Sequence, residues 1–231
     1  MKLKRSTANR ATDVSRIRVN KPMGIRREYQ HPFIIRVTHW LNFIAFGIMV
    51  TSGLRIYNAS PLFDFKIPVL FTLGGWLAGA RQWHFFAMWI FAVNGIIWIL
   101  YNIASRHGRE TTLFSKKDFG EILPMIKYYL RIWKGYPQVK KYNALQKAAY
   151  TTIPLAALGA ILTGFGIYWP VQFQFITSIF GNYDTARVWH FIFMAGLILF
   201  FLGHIFMVLL AGWNNFVSMI TGWKKTPMPS E

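Results

Sequence analysis

Apolar residues in this chain do not alternate with polar ones; they gather into four long blocks. The blocks run roughly over residues 33–54, 82–103, 145–168 and 187–213. About 20 apolar residues, at 1.5 Å of rise each, carry a helix across the hydrocarbon core of a bilayer. Polar or helix-breaking residues close the blocks: Ser52-Gly53 is expected to end the first and Trp169-Pro170 the third. Pro32 suits the first turn of the first helix, where its missing N–H leaves no bond unmade. A shorter apolar run over 68–77 is interrupted by Gly74-Gly75 and is too short to cross, so it reads as a surface loop. The pattern therefore predicts an all-α membrane protein built as a bundle of four transmembrane helices.

The cations set an orientation. Residues 1–32 carry nine Lys/Arg against two acidic residues, and residues 104–147 carry ten against three. The alternate loops are poorer, with three against one over 55–81 and one against one over 169–187. Both rich segments fall on one side of an even number of spans, so the positive-inside rule expects both termini in the cytoplasm. The formal charge of +18 then belongs to segments flanking a membrane and argues against a nucleic-acid-binding surface. Residues 1–30 read as a basic cytoplasmic tail without the apolar core of a secretory signal, residues 31–222 as the membrane domain, and residues 223–231 as a cytoplasmic C-terminal tail. Within the second basic segment, residues 118–135 interleave Ile122, Leu123, Ile126, Tyr129, Leu130 and Trp133 with Lys127, Arg131 and Lys134. That spacing predicts an amphipathic helix in the headgroup layer between spans two and three, starting near Pro124.

Ionisable residues inside a span are functional candidates, because burying them without a partner is expensive. Here they repeat. Arg36-Val37-Thr38-His39, Arg81-Gln82-Trp83-His84 and Arg187-Val188-Trp189-His190 stand at the starts of three spans, and His204 follows His190 by fourteen residues. Fourteen residues are about 21 Å of helix and return nearly to the same face. The fourth span can therefore offer one histidine near each membrane surface. Depth matches His84 with His190 as an outer pair and His39 with His204 as an inner pair. Each arginine lies one turn from its histidine, toward the nearer surface, where a guanidinium can clamp a carboxylate; simple snorkelling at a helix end is the plainer alternative.

The chain has no cysteine, which removes disulfides, cysteine-ligated iron–sulfur clusters and covalent c-type haem attachment. Walker, dinucleotide-binding and His-Glu-x-x-His signatures are also absent from the sequence. Any haem here would be held non-covalently, and His39, His84, His190 and His204 look like axial ligands for two b-type haems, with Arg36, Arg81 and Arg187 as clamps for their propionates. Gly47, Gly53, Gly95, Gly196 and Gly203 leave room for a flat macrocycle or for close helix packing. Met49, Met88, Met194 and Met207 read as packing. His31 and His107 lie outside the set, and Asn42, Gln82 and Asn94 are polar positions on span faces with no assigned role.

The run Arg36-Val37-Thr38-His39-Trp40-Leu41-Asn42, the echoes Arg81-Gln82-Trp83-His84-Phe85 and Arg187-Val188-Trp189-His190-Phe191, and the gap to His204 resemble bacterial di-haem cytochrome b subunits. These are the membrane anchors of nickel–iron hydrogenases, formate dehydrogenases and thiosulfate-reductase-type molybdenum enzymes. The resemblance covers about residues 30–222. It implies an inner-membrane electron-transfer subunit rather than a stand-alone enzyme. A periplasmic catalytic or electron-transfer partner would lie at one end, and an exchangeable quinone beside the cytoplasmic-side haem. A histidine-lined transporter and a purely structural haem anchor are the competing readings. A cation pathway without a carboxylate deep in any span is unusual, since Asp64 and Asp184 both fall in loops.

Overall fold

The computed structural model describes residues 24–105, 116–129, 132–133 and 143–228. Four helices are long and apolar enough to cross a membrane: α1 (Phe33–Ala59), α2 (Leu77–Ala104), α4 (Ala144–Tyr168) and α6 (Tyr183–Ala211). Three others are α3 (Lys116–Tyr129), the short α5 (Gln174–Ile179) and α7 (Trp213–Thr221). Large apolar side chains are left on the outside of the spans, with Leu199 at 72% and Leu209 at 74% exposure. Such a surface suits hydrocarbon rather than water.

Span three begins and ends within a residue of its apolar block; spans one, two and four extend beyond theirs at one or both ends. Ser52-Gly53 does not end the first helix, which continues to Ala59. The Ser52 hydroxyl donates back to the Ile48 carbonyl, four residues earlier, so it adds to the helix's own ladder instead of capping it. The second helix starts at Leu77, five residues before its apolar block, because Gly74 takes a left-handed φ of 104° and turns the chain there. Asn143 and Asn182 begin α4 and α6 with capping boxes, reciprocally bonded to Gln146 and Thr185, which satisfies backbone donors that a helix start leaves open. Gly212, at φ +84°, stops α6 and lets α7 turn away. The run over 68–77 forms a single 3₁₀ turn, Val69–Phe71, in an exposed loop. Its Leu73 N–H donates back to the Thr51 carbonyl of α1 at 3.0 Å.

The amphipathic helix between spans two and three is present, but it starts at Lys116 and runs through Pro124. The expected start at Pro124 is overridden by docking. Asp118 accepts from Lys147 at 2.6 Å, Asn143 donates to the Tyr129 hydroxyl at 3.0 Å, and Met125 is fully buried. Its other face exposes Phe119 and Leu123. The part of the expected helix beyond Tyr129 lies mostly outside the described residues, as does His107.

Both ends of the described chain meet at one end of the bundle. Strand β1 (Ile25–Tyr29) pairs antiparallel with β2 (Trp223–Pro227), from Ile25 opposite Pro227 to Tyr29 opposite Trp223. Five-residue strands of mixed charge carry too little apolar alternation to show in the sequence, and their pairing is fixed by the helices that precede and follow them. We call this the terminal end, and the opposite one the far end.

Close backbone packing is concentrated within two hairpins, α1 with α2 and α4 with α6. Asn94, buried in α2, ties the first hairpin by donating to the Thr38 carbonyl and to Asn42, each at 2.7 Å. Gly159 lets the second close up: a Cβ there would lie 2.5 Å from the Phe193 ring. Between the hairpins, aromatic side chains make much of the contact, including Phe43 and Phe46 against Phe201, Tyr57 against Phe191, Phe85 against Tyr168, and Trp89 against Phe165. Two helix pairs thus face each other across a seam.

Candidate functional site

The four intramembrane histidines face one another across that seam as two pairs. Near the terminal end, His39 of α1 meets His204 of α6 with ring centroids 6.0 Å apart. Near the far end, His84 of α2 meets His190 of α6 at 6.3 Å. The pairing inferred from depth along the helices is the pairing in the structure, and α6 supplies one ring to each.

The separations can be tested against a shared metal. An imidazole nitrogen binds a transition metal at about 2.0–2.1 Å, and that nitrogen lies roughly 1.1 Å from its ring centroid. Two rings on opposite sides of one ion would therefore have centroids about 6.2–6.4 Å apart; the far-end pair stands at 6.3 Å and the terminal-end pair slightly closer at 6.0 Å, both edge to face. A direct ring-to-ring hydrogen bond or a stacked pair would bring them closer.

The far-end rings are held from behind. His84 Nδ1 lies 3.0 Å from the Met49 carbonyl and 3.2 Å from Ser52 Oγ. His190 Nδ1 lies 3.0 Å from the Ala160 carbonyl and 3.1 Å from Thr163 Oγ1. A carbonyl oxygen only accepts, so Nδ1 carries the proton and donates in both rings. Nε2 is then the nitrogen with the free lone pair. Ser52 reads in the sequence only as part of a helix stop, and Thr163 and Gly164 carry no assigned role there. Their signal was a hydroxyl-glycine doublet repeated in spans one and three.

The arginines occupy the ends of the bundle, each close to its histidine. Arg36 donates to the Ile220 carbonyl at 2.5 Å, joining α1 to the end of α7, while its buried Nε has no partner among the described residues. An orphaned guanidinium N–H one turn from His39 is suited to a carboxylate. Arg187 donates to the Ser60 carbonyl at 2.7 Å and to its hydroxyl at 3.1 Å, with Asp184 at 3.8 Å. Arg81 is exposed, its guanidinium 5.7 Å from the Phe85 ring centre. Trp40 closes the terminal end by donating to the Met219 carbonyl at 3.2 Å.

The spans also leave open space at four glycines, of which Gly47, Gly196 and Gly203 are exposed. A Cβ at Gly47, Gly95, Gly196 or Gly203 would meet nothing within 4 Å. An apolar groove of about 520 Å³ opens beyond His39 between α1 and α6, lined by Phe43, Phe46, Gly47, Val50, Ile198 and Phe201 among others. Gly53 differs, since a Cβ there would sit 3.2 Å from His84 Cε1. Of the remaining polar candidates, Asn42 and Asn94 are engaged in the first hairpin and Gln82 is exposed. Met88 is buried in the helix packing. His31 lies just before α1, where its backbone N–H donates to the Gly222 carbonyl at 3.3 Å.

Four spans with histidines paired across a seam define a membrane protein of the b-type cytochrome class. The family model described as prokaryotic cytochrome b561 matches residues 30–222, and the chain belongs to that family. Among its relatives is a protein of Azospira oryzae named putative protein-methionine-sulfoxide reductase subunit YedZ1. It is 42% identical over 192 residues, covering 83% of this chain and 96% of the relative. Probable Ni/Fe-hydrogenase B-type cytochrome subunits are more distant. The one from Cupriavidus necator is 23% identical, covering 87% of this chain and 88% of its own length. The Escherichia coli K12 hydrogenase 1 subunit is 24% identical, covering 76% and 79%. The chain is a multi-pass membrane haem b protein of electron transport.

Proposed function

We propose that the chain relays electrons across the bacterial inner membrane through two b-type haems, one bound by His39 and His204 and the other by His84 and His190. The observation that carries this reading is the meeting of the four intramembrane histidines as two pairs across the seam, at ring separations of 6.0 and 6.3 Å that leave room for one ion between each pair. Held by such pairs, haem iron would supply one-electron chemistry.

The protein's own part is placement. Helix α6 holds His190 and His204 about 21 Å apart along one axis, so the two sites stand near opposite membrane surfaces. The cation excess around the termini supports a cytoplasmic terminal end and a periplasmic far end. Arg36, Arg81 and Arg187 lie at the ends of the bundle, where they would neutralise propionates and keep them toward the surfaces. The aromatic seam between the pairs excludes water from the interior.

A quinone exchanging at the terminal end and a catalytic partner at the far end complete the path. The partner is read as an oxidoreductase of the molybdenum or hydrogenase type. The Azospira oryzae relative is named as a reductase subunit, and a reductase consumes electrons. For this chain that favours flow from quinol, through the terminal-end site and then the far-end site, to a periplasmic reductase.

The test is quinol-driven haem reduction in proteoliposomes. Quinol is expected to reduce both haems in the native chain, and in His204→Ala to leave the far-end haem oxidised although dithionite still reduces it. Rapid quinol reduction of the far-end haem in that variant would overturn the order of the relay.

A further inference from the structure

The devices behind His84 and His190 are built twice, on different hairpins, to one plan. In α1 the carbonyl of Met49, the hydroxyl of Ser52 and the hydrogen face of Gly53 surround one edge of the His84 ring. In α4 the carbonyl of Ala160, the hydroxyl of Thr163 and the hydrogen face of Gly164 surround the same edge of His190. The offsets agree, with a carbonyl at i, a hydroxyl at i+3 and a glycine at i+4, positions that share one face of a helix. The distances agree too: 3.0 Å to each carbonyl, 3.2 and 3.1 Å to the hydroxyls, and 3.2 and 3.3 Å from a hypothetical glycine Cβ to ring Cε1.

Each hydroxyl is fully buried and already spends its proton within its own helix, Ser52 on the Ile48 carbonyl and Thr163 on the Gly159 carbonyl at 2.7 Å. It therefore faces the imidazole as an acceptor and shares the Nδ1 proton with the neighbouring carbonyl. Among the described residues, the rings of His39 and His204 show no corresponding hydrogen bond. The plan is confined to the far end.

We propose that Ser52-Gly53 and Thr163-Gly164 are matched positioning residues that fix the tautomer and plane of His84 and His190 and lower the reduction potential of the far-end haem. This rests on the reading of those histidines as axial ligands. Acceptors behind a ligating imidazole push electron density toward its Nε2 and favour the oxidised metal. Two such imidazoles on one ion act in the same direction. A side chain at either glycine would crowd Cε1, so that the ring would have to give by a few tenths of an ångström.

The experiment is a redox titration of the purified full chain, with haem content and low-spin electron paramagnetic resonance, for the native protein, Ser52→Ala, Thr163→Val, their double variant and Thr163→Ser. One of the two midpoints is expected to rise in each single variant and further in the double, while the other stays fixed. Thr163→Ser should restore the native value. Loss of the far-end haem in Thr163→Val that Thr163→Ser repairs supports the same role. Unchanged midpoints and resonance signals with both haems retained would overturn it, as would a haem loss that serine fails to repair. A native chain without haem is a distinct result, because it removes the ligand reading itself before any variant is compared.

Discussion

His84 and His190 lie on different hairpins, yet their ring centroids stand 6.3 Å apart and both rings donate from Nδ1 to a helix backbone carbonyl. If the two rings share one ion, as proposed, neither can be replaced by its partner. His84→Ala and His190→Ala are therefore expected to remove the same haem, and the double variant to remove no more than either single. Absorbance of the reduced protein checks this. Groups that act on one shared partner are non-additive, so a double variant that loses twice the haem of each single would show that the two rings serve different sites.

Arg36 joins the start of α1 to the end of α7 through the Ile220 carbonyl, next to the strand that carries Lys224 and Lys225. Arg36→Ala removes that tie at an exposed helix end, a loss of about 0.5–1.5 kcal/mol. Trypsin is expected to cleave at Lys224 or Lys225 several-fold faster than in the native chain. Equal cleavage rates would show that β1 and β2 hold the terminal end without it.

The ion pair between Asp118 and Lys147 fastens α3 to the first turns of α4, with the Asp118 side chain 6% exposed and that of Lys147 28%. Asp118→Ala leaves a partly buried ammonium without its carboxylate, and about 1–3 kcal/mol of stability should go with it. In detergent the melting temperature is expected to fall by a few degrees while the haem spectrum stays native, because α3 packs against α4, which carries no histidine.

Two glycines predict opposite outcomes. Gly159→Ala would drive a methyl group into the Phe193 ring, an overpacking of about 1–3 kcal/mol. Gly120→Ala, in α3, meets nothing within 4 Å and gains about 1 kcal/mol of helix propensity. Thermal unfolding of the two variants should move in opposite directions.

The parts of the molecule set by one-dimensional periodicity were legible in the chain. Long apolar blocks forced four helices, and depth along straight helices sufficed to pair His39 with His204 and His84 with His190. What depends on side-chain company was less visible. Ser52-Gly53 looked like a stop, because a hydroxyl-glycine doublet usually ends a helix; in α1 the hydroxyl bonds within the helix and the glycine makes room for a ring from α2. Pro124 looked like a start, but the contacts of Asp118 and Met125 carry α3 through it. The β1–β2 ribbon could not be seen, since its pairing partners lie about 200 residues apart in sequence and carry no pattern of their own.

One iron held by each histidine pair can be counted in the purified chain, as pyridine haemochrome per polypeptide together with the reduced-minus-oxidised spectrum. Two b-type haems per chain are expected, falling to one in His39→Ala or His204→Ala and likewise in His84→Ala or His190→Ala. A native chain with one haem or none, or a single-histidine variant that keeps two, would contradict it.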